Sequence, residues 1–280
     1  MREVMYSQSG ILVVAGLFLV MLLAMETGFR RGRRKQASAA EAITQANAVL
    51  TSMLGLLALL LAFTFSAALQ RHDDRSLTVV AEANAIGTTY LRARLLPREM
   101  RDEVQALLRH YLDVRIREGR VDATDPELHQ SLLDEAKLLE AQLWNHALRA
   151  AELDDRPVTS GLFIQTLNEL IDTSSARNAA LNRHVPEVVL FLMFTTIVMT
   201  TATLGYASSV AGHRVTLAAF VLVMLIALVV YLIIDLDRPR RGFIRVSQEG
   251  MLSLQQSIGR MPEPGARPAS PAGAAQGPRR

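Results

Sequence analysis

Four apolar stretches, two near the start of the chain and two near its end, flank a long charged segment, and this two-plus-two arrangement limits the chain to an integral membrane protein. Residues 48–69, AVLTSMLGLLALLLAFTFSAAL, run without a charge. Such a stretch of about 22 residues crosses roughly 30 Å of hydrocarbon at about 1.5 Å per residue. Residues 215–234, VTLAAFVLVMLIALVVYLII, form a second clear span, and residues 186–207 a third, with Glu187 placed where it reaches the interface. The first stretch, residues 10–25, is short unless Met5 and Tyr6 extend it. No small-x-small cleavage site follows it and it runs into Glu26 and a basic cluster, so it reads as a retained helix rather than a signal peptide.

The composition, 50% hydrophobic and 20% charged, fits membrane spans sharing a chain with a sizeable aqueous portion. The 30 basic and 27 acidic residues are too nearly balanced to point to nucleic acid. With no cysteine, disulfides, thiolate catalysis and cysteine-ligated metals are excluded.

The expected organisation is all-α: a first transmembrane pair within 1–69, a helical aqueous domain over 70–185, a second pair within 186–235, a membrane-proximal tail over 236–259, and a disordered Pro, Gly, Ala and Ser tail over 260–280. The loop 26–47 joining the first two spans carries Arg30, Arg31, Arg33, Arg34 and Lys35, a cluster normally held on the cytoplasmic side. Parity puts the N-terminus, the middle segment and the tail together on the other side. Because that side is also rich in arginine near the membrane, charge counting leaves the absolute orientation open.

In the middle segment Pro97, Arg98 and Glu99 mark a helix start, followed by an apolar stripe through Val104, Leu107, Leu108, Tyr111 and Leu112. Asp125 before Pro126 reads as an N-cap, with Leu128, Leu132, Leu139 and Leu143 as one stripe. A third helix is expected from about Thr159 to Asn182. Such amphipathic helices need one another, or a partner subunit, to cover their apolar faces.

The second span has no stop signal until Gly87 and ends at Pro97, so one long helix is expected to cross the membrane and project into water. At 100° per residue Leu57, Leu60, Thr64, Ala68, Arg71, Arg75, Thr78, Glu82 and Thr89 share a stripe. Several copies around an axis would make an apolar constriction opening into arginines, suited to anions. The plainer alternative is that these arginines bind lipid headgroups or pair with nearby acids. Asp73, Asp74, Asp235, Asp237, Arg238, Arg240 and Arg241 then form an ion-pair cluster joining the exits of the second and fourth spans. Asn84, Thr88 and Arg92 share a face, but no nucleophile and base accompany them, and the six histidines are scattered singly. Neither an enzyme nor a bound cofactor or metal is expected. Trp144 reads as core, and the hydroxyls of Thr195, Thr196, Thr200, Thr201 and Thr203 as partners for backbone or a neighbouring helix.

The run GLLALLLAFTFSAA followed by QRHDDR, then EANAIGTTYLRARLLP, and LDRPRRGFIRVSQ after the last span together resemble the bestrophin-like family of bacterial membrane proteins. The resemblance covers nearly the whole chain except the terminal tail. It implies a multi-pass protein of the bacterial inner membrane. It also implies a homo-oligomer embedded in the lipid bilayer, with an anion pathway lined by the second helix and inorganic anions as ligands. Arg71, Arg75 and Glu82 match the charged stretch below the family's neck. Phe63 and Phe65, at i and i+2, depart from the i and i+4 aromatic spacing of a bestrophin neck, and the Trp-rich run that follows the neck is missing. The competing reading is a non-conducting membrane scaffold or sensor whose helical domain docks a partner.

Overall fold

The computed structural model describes residues 9–35, 40–122, 125–154, 156–214, 216–238 and 243–260. Among these the secondary structure is helical, with no strand. Met5, Tyr6, Arg240, Arg241 and the tail beyond Arg260 lie outside the described residues.

Helix α1 spans Gly10–Lys35 and α2 Ala40–Arg92, followed by a single tight turn, Ala93–Leu95. Then come α3, Arg98–Arg120; α4, Pro126–Leu153; and α5, Leu162–Leu181, entered through a wide turn at Pro157–Gly161. The chain returns to the membrane in α6, Glu187–Val210, and α7, Leu217–Asp237, and ends its described part in α8, Glu249–Arg260. Four helices, α1, α2, α6 and α7, are long and apolar enough to cross a membrane. The first two run further than the loop expected over 26–47 allows: α1 continues through the basic cluster to Lys35, and α2 begins at Ala40. Nothing in that cluster stops a helix, and positive charge at a helix C-terminus complements its dipole.

The membrane bundle is held by close approach of small residues. Gly28 and Gly32 lie one turn apart on α1, facing Ala202, Tyr206 and Ser209 of α6. A methyl at Gly28 would overlap the Ala202 carbonyl, and one at Gly205 the Met25 carbonyl. Lipid tails are as apolar as leucine, so helices in a membrane gain little from hydrophobic burial and associate through such backbone proximity. Around this crossing pack Met21, Leu57, Met193, Ile197, Val223 and Val230. Phe18 meets Phe220 of α7 edge to face, ring centroids 6.1 Å apart. The hydroxyls of Thr195, Thr196, Thr200, Thr201 and Thr203 all donate back to carbonyls of α6 itself, and Thr203 also reaches Met53 Sδ at 3.4 Å.

Outside the bundle, the C-terminal half of α2 packs with α3, α4, α5 and α8 around a second core. Pro97 leads into α3, whose Val104, Leu108, Tyr111 and Leu112 are buried. Asp125 caps α4 by accepting from Leu128 N at 3.0 Å. Leu132, Leu139 and Leu143 enter the core, whereas Leu128, expected on the same stripe, is exposed, as are Pro126 and Glu127 in the same first turn of α4. Trp144 packs at the margin of this core. At the turn into α5, Asp154 takes a bidentate contact from Arg156 (2.8 and 2.9 Å) and a bond from the Thr159 hydroxyl (2.6 Å), and these donors hold its carboxyl well below the usual range. Helix α8 lies across α2 and α3, burying Met251 and Ile258, and Leu254 approaches the bare backbone of Gly87.

Candidate functional site

The long second helix organises every candidate residue. Its 53 residues run about 80 Å at a rise of about 1.5 Å each, so a single rod passes from the membrane bundle into the aqueous core. The predicted stripe is the face it turns to its own protomer. Leu57, Thr64, Ala68, Arg75, Glu82 and Thr89 are buried, and Leu60, Arg71 and Thr78 half-buried. As a set these residues are therefore taken up by contacts within one chain. The reason is that α5, α6 and α7 of the same chain pack against this face, and the small and apolar pattern that looked like a constriction is a helix-packing seam.

Where α2 leaves the membrane, Arg75 is completely buried. Its guanidinium donates to the carbonyls of Ala180 (3.3 Å), Arg183 (2.6 Å), Leu236 (3.1 Å) and Asp237 (3.2 Å), with the Asp237 carboxylate 3.9 Å away. The last carbonyls of a helix have no partner within it and carry the negative end of its dipole. One arginine therefore satisfies the ends of α5 and α7 together and fixes the membrane bundle to the aqueous domain. Asp237 completes the joint by accepting from Val185 N at 2.9 Å. Asp235 accepts from the backbone N–H groups of Phe243 (3.1 Å) and Ile244 (3.0 Å), holding these two residues against the last turn of α7.

The expected ion-pair cluster is thus divided. Asp235, Asp237 and Arg238 are buried at this joint, while Asp73 and Asp74 are exposed on the other side of α2. Arg71 stays close to its own helix, donating to Ala67 O at 3.3 Å. Arg240 and Arg241 fall outside the described residues.

Two turns further along α2 lies a buried network that no local sequence pattern assembles. Glu82 accepts from Arg115 Nε (2.6 Å) and Nη2 (3.2 Å), from Arg177 Nη1 (2.7 Å) and from the Tyr111 hydroxyl (3.1 Å). Arg177 also donates to Glu118 at 3.0 Å, and Tyr111 reaches Glu140 at 3.0 Å. Two carboxylates and two guanidiniums balance in charge, which is what makes their burial tolerable. Burial pushes the Tyr111 phenol well up, and the neighbouring Glu82 charge adds to it. For Arg115 burial opposes the charge, but Glu82 outweighs it and holds the guanidinium above the ordinary arginine value. The sequence did carry a signal for these residues. Arg115 follows Val104, Leu108 and Tyr111 on the apolar stripe of α3, and Arg177 follows Phe163, Leu167 and Leu170 on that of α5, so both charges occupy core positions.

The other face of α2 is uncovered. Leu56, Leu59, Phe63, Ser66 and Gln70 are exposed at alternating steps of three and four, and Asp73 and Leu77 continue the line into water. No group of three or more metal-ligating side chains occurs among the described residues.

A family model described as a bestrophin-like domain matches residues 13–251. No curated protein matches the chain in sequence. Among solved structures, the chain is similar in fold to a mutated bacterial bestrophin homolog from Klebsiella pneumoniae, with a TM-score of 0.59 at 16% identity over 89% of this chain and 97% of that one. It is similar too to a proline-to-alanine variant of a membrane protein, with a TM-score of 0.58 at 14% identity over 87% and 97%. With most of its length matched by one family model and its membrane and aqueous helices laid out as in a bestrophin homolog, the chain belongs to the bestrophin-like family.

Proposed function

We propose that the protein assembles into a homo-oligomeric anion channel whose pore is lined by the uncovered face of α2. The observation that carries this reading is the division of labour along that helix: its inner face is used up in packing, while Leu56, Leu59, Phe63, Ser66 and Gln70 stay uncovered on a continuous line. A period between three and four residues is what helices need to pack around a common axis. Closed into a ring, the line gives an apolar constriction at Leu56, Leu59 and Phe63, widening to polar groups at Ser66 and Gln70, an arrangement suited to gating by dewetting. Membership of the bestrophin-like family supports an anion as the ion carried. Asp73, exposed one turn beyond Gln70, opposes anion entry and sets the selectivity at the mouth.

The test is chloride flux from liposomes holding the purified protein. Wild-type protein is expected to release chloride above empty vesicles, Phe63→Ala to raise the rate by relieving the constriction, and Asp73→Asn to raise chloride over sodium. Arg75 is unsuitable as a pore probe because its reversal would break the joint between domains. No flux from well-assembled protein would favour the scaffold reading, in which the helical domain docks a partner.

A further inference from the structure

Next to the Arg75 joint, where α1 begins and α7 ends, a cavity of about 380 Å³ opens at the edge of the membrane bundle. Its lining combines apolar side chains, Ile11, Ile234 and Phe243, the last 86% exposed, with Arg238 and Arg245. Arg238 is buried, with its Nη1 about one van der Waals contact (3.5 Å) from where a side chain on Gly10 would begin, so its guanidinium rests against the first turn of α1. That turn is the positive end of the helix dipole, so two positive features converge on one cavity. The acid in the wall, Asp235, is engaged by the backbone N–H groups of Phe243 and Ile244. Arg245 lies 3.6 Å from Asp122, with the two side chains 61% and 48% exposed, and a pair so open to water holds weakly and leaves Arg245 able to turn.

We propose that this cavity binds a phosphate-bearing anion, and specifically that its form suits an anionic phospholipid. The arginines would hold the phosphate while Ile11, Ile234 and Phe243 receive the start of an acyl chain. The position agrees with this, because Ile11 and Ile234 belong to spanning helices whereas Arg245 lies beyond the end of α7. The site is separate from the uncovered face of α2 and does not depend on channel activity.

The experiment is native mass spectrometry of the full chain in detergent, titrated with phosphatidylglycerol or phosphatidylcholine, alongside thermal protection by inorganic phosphate. Wild-type protein is expected to retain phosphatidylglycerol in preference to phosphatidylcholine. Arg238→Gln and Arg245→Gln should each weaken that binding about fivefold, in line with one interfacial arginine. Arg245 is exposed, so Arg245→Gln keeps the test valid if Arg238→Gln fails to fold. Phe243→Ser separates the sources: it should weaken the lipid and leave inorganic phosphate unchanged. Protection by inorganic phosphate that is lost in the arginine variants, with no lipid preference, would assign the cavity to free phosphate and still support the anion site. Binding unchanged in Arg245→Gln, or weakened equally by Arg98→Gln on the distant surface of α3, would overturn the proposal.

Discussion

At the crossing of α1 and α6 the closest approaches are backbone to backbone, with Gly28 against the Ala202 carbonyl and Gly205 against that of Met25. In the aqueous domain the notable approaches are carboxylate to guanidinium, with Glu82 2.6 Å from Arg115 and 2.7 Å from Arg177. The same chain thus solves burial in two ways because its two solvents differ. In lipid there is no water to expel from between helices, so dispersion and close fit must hold them, and small residues permit that fit. In water a large apolar core supplies the driving force, and it can carry a balanced set of charges whose geometry then selects one arrangement of α2, α3 and α5. Arg75 stands between the two regimes, a charge buried at the boundary and answered mainly by carbonyls rather than by carboxylates.

This contrast can be broken most severely on the membrane side. Gly205→Leu places a side chain where the Met25 carbonyl lies, and α1 and α6 have to separate. The expected cost exceeds about 3 kcal/mol, the upper end for overpacking. Size-exclusion chromatography after extraction should find no monodisperse protein; a wild-type profile would show that the crossing is not a tight one.

Glu82→Gln attacks the aqueous domain instead. It leaves Arg115 and Arg177 with Glu118 as their remaining close carboxylate, and a loss of about 3 kcal/mol is expected, read as a fall in Tm in detergent. Replacing Glu82 and Glu118 by leucine and Arg115 and Arg177 by methionine together separates selection of an arrangement from net stabilisation. If the network chooses an arrangement rather than supplying net stability, the fourfold variant should recover most of the lost Tm; a Tm below that of Glu82→Gln would assign it a stabilising role.

Arg75→Gln should cost about 2 kcal/mol, the scale of losing charged hydrogen bonds at a buried site. The effect should appear as protease cleavage near residues 182–186, where α5 gives way to α6, rather than as loss of either core. Uniform cleavage across the chain would mean that Arg75 does not act as a joint.

The smallest effect concerns pH. The Tyr111 phenol is held neutral by burial and by Glu82, so its folded pKa lies above the unfolded value of about 10. The stability this contributes is complete below about pH 10 and is lost as pH rises through the folded pKa. Tyr111→Phe is expected to cost about 1 kcal/mol at neutral pH, for one hydroxyl proton shared between the Glu82 and Glu140 carboxylates, and to flatten the alkaline fall in Tm. An alkaline limb as steep as that of the wild type would place the titrating group elsewhere.

The helices themselves follow from local sequence. Charge-free length gave the spans, because no other backbone arrangement satisfies its polar groups in lipid so simply. The absence of a stop signal before Gly87 gave the continuous second helix, and Asp125 before Pro126 gave the start of α4. The family resemblance was also legible, in the segments after the second and fourth spans. The direction in which α2 faces within its own chain, and which charges meet, emerge from packing alone. A periodic stripe marks a face as distinct but does not say whether a neighbour in the same chain or in another copy will cover it, and here α5, α6 and α7 cover it. Likewise Glu82, Arg115 and Arg177 are far apart along the chain; each showed locally as a charge at a core position, but their pairing depends on the relative placement of three helices, which no local pattern encodes.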